Sequence, residues 1–173
     1  MNRAQSFPPL ARPDATRLIL GSMPGVASLK AQAYYAHPRN AFWPIMARLF
    51  GFSSALPYDA RVRALLEAHV AVWDVLRQCV RPGSLDSAIS DAEPNDFGQF
   101  LADHPAIRHI VFNGVAAEQW FRRLVAAPDL PAGLILLRAP STSPAHAGQT
   151  IDMKAAQWSA ALGLDGGIVF TPS

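Results

Sequence analysis

Short apolar runs alternate along this chain with segments of helical spacing, and that alternation constrains the fold more than any single residue does. Arg17–Gly21, Val70–Val75, Ile107–Phe112 and Leu134–Leu137 read as buried strands. Between and after them, Asn40–Phe52, Tyr58–His69, Asn95–Asp103, Val115–Ala126 and Ile151–Leu162 place apolar residues at helical intervals. Strands that are apolar throughout and separated by helices belong to a parallel sheet covered on both faces. The expectation is an α/β fold, a three-layer αβα sandwich around a central, mostly parallel four-stranded sheet. The 173 residues suit one domain, with residues 1–16 an extended lead-in punctuated by Pro8, Pro9 and Pro13.

Ligands of such sheets bind at the carboxyl ends of the strands. That rule brings four loops to one rim: Ser22–Asn40, Asp74–Ser87, Asn113–Ala116 and Ala139–Gly148. The first contains YYAHPRNAFW at residues 34–43, where polar and aromatic groups crowd around His37-Pro38 without core periodicity. Pro38 lacks an N–H and biases His37 away from helix, so this is a shaped loop feeding a helix that begins near Asn40, a good capping residue.

Half the residues are hydrophobic and only 16% are charged, against about 25% in ordinary domains, which argues against disorder. The net charge of +2 is small, but the first fifty residues hold six bases (Arg3, Arg12, Arg17, Lys30, Arg39, Arg48) against one acid, Asp14. A polyanion such as DNA needs a surface of that kind; ordinary solvated surface accounts for it equally well. A single cysteine, Cys79, rules out an internal disulfide and a cysteine-only metal site and suits a reducing cytoplasm. No apolar run approaches bilayer length, and the first residues lack the hydrophobic stretch of a signal peptide; a cytoplasmic chain is expected. Phosphate-loop, dinucleotide-loop and nucleophile-elbow signatures are missing. The five histidines do not pair at metal-ligand spacing, so neither metal nor cofactor is expected. Amide, hydroxyl, carboxylate and aromatic chemistry remain.

The combination resembles the uracil-DNA glycosylase superfamily over nearly the whole chain. GSMPG (21–25) is similar to its G-x-x-P-G turn after the first strand. YYAHPRNAFW is similar to the aromatic-x-H-P-x-N-x-F-W block of the mismatch-specific branch, which includes thymine-DNA glycosylases. RPGSLDS (81–87) resembles a P-G-S segment of that branch, and PSTSPAHA (140–147) the loop that enters the duplex. Met-Pro-Gly, Trp73-Asp74 and the Ser-Thr-Ser-Pro-Ala run look most like the hypoxanthine-DNA (deoxyinosine) glycosylase branch.

The resemblance implies a role for each motif residue. Asn40 orients the attacking water, because Met23 stands where the mismatch-specific branch has an asparagine and a thioether makes no strong hydrogen bond; a plain helix cap is its other reading. Tyr35 stacks on the extruded base, or is a core tyrosine. Asp74 reads the base edge, or caps a strand end. Ser22, Met23 and Asn113 line the base pocket, Asn113 having a turn role as its alternative. Ser141 and Ser143 contact phosphates, with Ser84 and Ser87 as secondary contacts. Pro144, Ala145 and His146 stand where relatives push into the vacated stack, though His146 also reads as an unrelated loop histidine. The expected activity is monofunctional excision of a deaminated base, hypoxanthine first and uracil second, from double-stranded DNA by a monomer. A catalytically weakened DNA-binding module of the same fold is the alternative. A small-ester hydrolase using Ser141 or Ser143 with His146 and Asp74 fits the sequence poorly.

Overall fold

The computed structural model describes residues 3–164. In chain order the elements are β1 (Arg3–Gln5), β2 (Arg17–Gly21), α1 (Val26–Ala31), α2 (Phe42–Phe50), α3 (Tyr58–Glu67), β3 (Val70–Asp74), β4 (Leu76–Val80), β5 (Ser90–Pro94), α4 (Phe97–Asp103), β6 (His109–Asn113), α5 (Val115–Leu124), β7 (Ile135–Ala139) and α6 (Ile151–Ala161). Four strands form the central sheet in the order β3-β2-β6-β7, and every neighbouring pair is parallel.

Alternation along each strand divides the core into two layers, because successive side chains leave opposite faces of a sheet. Leu18, Leu20, Ala71, Trp73, Ile110 and Phe112 face one way and pack with Phe97, Phe100 and Leu101 of α4 and Phe121 of α5. Ile19, Val70, Val72 and Val111 face the other way and pack with Phe42, Ile45 and Met46 of α2, Leu65 of α3 and Trp158 of α6. The three-layer sandwich follows. Asp96 caps α4 by accepting the Gln99 N–H, and Thr150 caps α6 by accepting the Met153 N–H.

Three expectations need correction. The lead-in at 1–16 is not merely extended: β1 pairs antiparallel with β4, and Leu10 bridges Val72. Farther along it, the Phe7 and Pro8 carbonyls accept the Trp73 indole N–H and the Tyr34 hydroxyl. The stretch read as one loop, Asp74–Ser87, contains β4, which joins β1 and β5 in a separate antiparallel sheet of order β1-β4-β5. That sheet carries polar residues and the ion pairs Arg3–Glu93 and Arg77–Glu93, so it leaves no apolar period in the sequence. Finally, a short helix, α1, sits inside the loop that precedes α2, which begins at Phe42, two residues past Asn40, as expected.

Candidate active site

The carboxyl ends of β2, β3 and β6 and the loop after β7 meet around one cavity of about 160 Å³, lined by all four of these chain segments. An engineered cavity of about 150 Å³ accommodates benzene, so the space is on the scale of an aromatic ring. Its lining includes Ser22, Met23, Tyr35, His37, Asn40, Asp74, Ser84, Asp86, Asn113, Ser141, Ser143 and Pro144.

Asp74 and Tyr35 form the floor. Asp74 ends β3 opposite Gly21 of β2 and is buried. A Cβ on Gly21 would lie 2.7 Å from Asp74 Oδ1 and 3.1 Å from the Tyr35 hydroxyl. The carboxyl and the phenol therefore occupy the space of a side chain, and only glycine fits between them. Burial pushes the Asp74 carboxyl up to about 7; the Arg81 charge opposes that rise and the Asp86 charge adds to it. Burial also drives the Tyr35 phenol well above its ordinary value, with Asp74 contributing and the nearby Asn113 amide opposing, so Tyr35 stays an O–H donor. Tyr35 holds a left-handed backbone, φ +55°, which costs a residue with a Cβ roughly 1–2 kcal/mol. Phe42 stacks on its ring at 4.0 Å between centroids, so at most one ring face is left for a base. Neither the Tyr35 hydroxyl nor Asp74 Oδ2 has a hydrogen-bond partner among the described residues.

Asn40 stands in the wall. Its Oδ1 accepts the Phe42 N–H at 2.9 Å, so it does steady the start of α2 while lining the cavity, and its side-chain N–H groups donate to no described residue. The neighbouring Ala41 N–H donates to the Thr142 carbonyl at 3.0 Å, which ties this wall to the loop after β7. His37 Nδ1 accepts the Arg39 N–H, leaving Nε2 to carry the proton when the ring is neutral.

The rim is built differently, because its polar groups are committed to one another. Ser22 donates to Asp86 Oδ1 at 2.6 Å. Asn113 and Thr142 bond reciprocally: the Asn113 amide donates to Thr142 Oγ1 and accepts the Thr142 N–H. Ser84 Oγ accepts the Val26 N–H at the start of α1; Ser141 and Ser143 accept the N–H groups of Ser143 and Ala145. Each of these three serines acts as an acceptor, so its own O–H remains to be donated. Two buried cations hold the loops from beneath. Arg81 donates to the carbonyls of Met23, Pro24 and Gly83. Lys154 Nζ donates to those of Ser141 and His146, and burial lowers its affinity for a proton.

Most of the motif residues converge on the cavity; Ser87, Ala145 and His146 do not line it. Ser87 and His146 border a neighbouring depression with Asn113 and Ser141, and Ala145 and His146 are exposed. Met23 lines the cavity yet packs in the core. The serine–histidine arrangement of a hydrolase does not form among the described residues: neither Ser141 nor Ser143 is hydrogen-bonded to the His146 ring, and both accept backbone N–H groups instead. Tyr34 is a core residue, its hydroxyl bonded to Pro8. Sequence reasoning passed over Arg81, Asp86, Thr142 and Lys154. Lys154 had a readable signal: it lies four residues before Trp158 on the buried face of α6, where a charge is out of place unless it has partners.

A sequence profile of the Uracil DNA glycosylase superfamily matches residues 8–162. The hypoxanthine DNA glycosylase of Methanosarcina barkeri is 34% identical over 113 residues, covering 65% of this chain and 72% of the relative. The hypoxanthine DNA glycosylase of Methanosarcina acetivorans is 34% identical over 117 residues, 67% of this chain and 74% of the relative. The solution NMR structure of a candidate uracil DNA glycosylase from M. acetivorans superposes with a TM-score of 0.77 at 29% identity, over 95% of this chain and 99% of that one.

Proposed function

The chain belongs to the uracil DNA glycosylase superfamily and is a DNA N-glycosylase; we propose that it excises hypoxanthine, and secondarily uracil, from double-stranded DNA as a cytoplasmic monomer. The observation that carries this reading is the cavity at the strand ends, with the buried Asp74 carboxyl on its floor and Asn40 in its wall.

A base inside a duplex cannot reach such a cavity, so the target nucleotide is flipped out and recovers on the Tyr35 ring part of the stacking it loses, at roughly 1–3 kcal/mol per base. Asp74 accepts an N–H of the base edge. A water held by the Asn40 amide attacks C1′ as the glycosidic bond breaks, and the DNA phosphates offset the positive charge developing on the sugar. The free hydroxyls of Ser84, Ser141 and Ser143 supply phosphate contacts that set the register, with Ser87 beside them. Pro144, Ala145 and His146 fill the stack vacated by the base. Lys154 is the lysine nearest the duplex-entering loop in the chain, and its amine is bonded to two carbonyls beneath that loop, which supports hydrolysis rather than a Schiff-base step.

The buried thioether of Met23 favours a second reading, a DNA-binding module in which excision is weakened. Single-turnover excision from a panel of duplexes, each carrying one hypoxanthine, uracil or xanthine, separates the two. Release of hypoxanthine faster than the other bases is the expected result. Tight binding of every duplex with no base released would establish the module instead.

A further inference from the structure

The loop at 140–147 has two flanks, and the base cavity accounts for one. Ser141, Thr142, Ser143 and Pro144 line the cavity, whereas His146 borders two depressions that adjoin along Gly114, Val115 and Ser141 and so form one trough. Its far wall is α5, through Ala116, Gln119, Trp120 and Arg123, whose spacing of three and four puts them on one face of the helix. Arg122 and Arg138 both pair with Glu118. Arg123 has no ion-pair partner among the described residues and lays its guanidinium over the Trp120 ring, 5.0 Å from the centroid. Stacking holds the guanidinium plane and leaves its fork of N–H donors free, an arrangement suited to two oxygens of one phosphate. Three arginines therefore outnumber one glutamate on this flank. Asp86, the acid of the trough itself, lies where the trough meets the cavity and accepts the Ser22 hydroxyl there.

We propose that this trough holds the undamaged strand of the duplex, with Arg123 donating to a phosphate and Trp120 packing against the adjoining sugar. A loop that fills the stack vacated by a flipped base stands between the two strands. The damaged strand delivers its base to the cavity on one flank, so its partner passes along the other. There it meets a cation with no acid of its own and a half-buried indole, the other three tryptophans being buried. A sugar–phosphate backbone, anionic at the phosphate and apolar along the sugar, matches that pair.

The inference rests on the glycosylase reading above, which places the lesion in the cavity. Its test is binding to a duplex carrying 2′-fluoro-deoxyinosine, whose fluorine disfavours positive charge on the sugar and keeps the glycosidic bond intact. Arg123→Gln should weaken binding by about tenfold, the scale of one charge-assisted hydrogen bond, and lower the slope of log affinity against log salt by about one. Arg123→Lys should restore the slope but only part of the affinity, since an ammonium keeps the charge and lacks the stacked fork. Arg108→Gln removes the same charge from an exposed position before β6, at the amino end of the sheet, and should change neither. Neutral methylphosphonates then identify the strand. Placed opposite the lesion on the undamaged strand, they should erase the difference between parent and Arg123→Gln; placed on the damaged strand, they should leave it. Bound duplex should also shield Trp120 from quenching by acrylamide. Parental affinity and slope in Arg123→Gln, or an equal loss in Arg108→Gln, would overturn the inference. So would a difference that survives the undamaged-strand replacement or disappears with the damaged-strand one, and so would unchanged quenching with duplex bound. None of these touches the glycosylase reading. Excision is measured separately, and a parental protein that releases neither hypoxanthine nor uracil from ordinary duplexes overturns that reading, whatever the affinity series gives.

Discussion

The floor of the cavity and its rim are made from the same kinds of residue and use them in opposite ways. On the floor, Asp74 is buried and Tyr35 partly so, and one polar atom of each has no hydrogen-bond partner among the described residues. On the rim, Ser22, Ser84, Asn113, Ser141, Thr142 and Ser143 are all bonded within the protein. An unpaired buried group costs about 1–3 kcal/mol, so the floor is held against its own preference by the sheet and the packed aromatics around it. The rim, apart from Asn113 at the end of β6, is shaped by its own hydrogen bonds and by Arg81 and Lys154 below. The difference separates two tasks. On the proposed function, Asp74 at a strand end and Tyr35 in the loop before α2 are free to take a new partner, whereas the rim groups keep their loops in shape by bonding to one another.

The comparison breaks most visibly at Asn40, the wall residue between the two regions. Asn40→Ala should lower base excision by about 10²–10⁴-fold, the usual contribution of a positioned proton-handling group, while DNA affinity stays within a few-fold. Loss of the Phe42 N–H contact alone would instead lower the thermal midpoint and leave the rate in folded protein near parental. A parental excision rate would remove Asn40 from the chemistry.

A pH series sharpens the floor's side. The folded Asp74 carboxyl titrates at about 7 against 3.8 in model compounds, so the folded state binds a proton that the unfolded chain has released. That contribution to stability is fully present below the unfolded value and is lost as pH rises through the interval, levelling off above about 7. The groups that face Asp74 are Tyr34, Tyr35, Arg81 and Asp86, with His37 lining the same cavity. All of them remain in Asp74→Asn, so the difference between parental and variant stability isolates this carboxyl. Asp74→Asn should gain on the parent as pH rises from 4 to 7.5, by roughly 3–5 kcal/mol in denaturant titrations. A constant difference would mean that burial does not raise the affinity of this carboxyl for a proton.

The strand ends were more legible in the sequence than the second sheet and the cations beneath the loops, for a physical reason. β2, β3 and β6 are apolar along their length because both faces are buried, and the position where each run ends names Gly21, Asp74 and Asn113 as the strand ends that border a site. Residues in YYAHPRNAFW were legible because aromatics and a histidine in a proline-broken loop have no core period to obey. β1, β4 and β5 left no such mark: their pairing is held by backbone bonds and by Arg3, Arg77 and Glu93, which look like solvated surface when read one residue at a time. Arg81 and Lys154 were hidden for the same reason. Their partners are backbone carbonyls 2 to 58 residues away, and a carbonyl has no letter in a sequence.

On the rim's side, Lys154→Met keeps a long apolar stem and deletes the ammonium that bonds Ser141 and His146. Two carbonyls then lose their donor, and stability should drop by about 1–3 kcal/mol. The loop at 140–147 loosens with it, so affinity for duplex should weaken, whereas excision measured at saturating protein should stay within a few-fold. A rate loss at saturation exceeding the affinity loss would move Lys154 from the rim's support to the chemistry.

The smallest effect belongs to the rim serines, and it tests whether they touch phosphate at all. Ser143 Oγ accepts the Ala145 N–H at 3.2 Å, which orients the hydroxyl and leaves its proton for a phosphate oxygen. Ser143→Ala removes both bonds, and a neutral hydrogen bond contributes about 0.5–1.5 kcal/mol, so duplex affinity should weaken by roughly 2–10-fold. A hydroxyl displaces no condensed counterion, whereas each lysine or arginine on a phosphate adds about one to the slope of log affinity against log salt. The slope of Ser143→Ala should therefore match the parental slope while the whole line shifts downward. A changed slope would mean that the loop has moved and carried charged groups off the DNA. An unshifted line would mean that Ser143 serves only to turn its own loop, and the rim would then hold its shape for the duplex without touching it at this point.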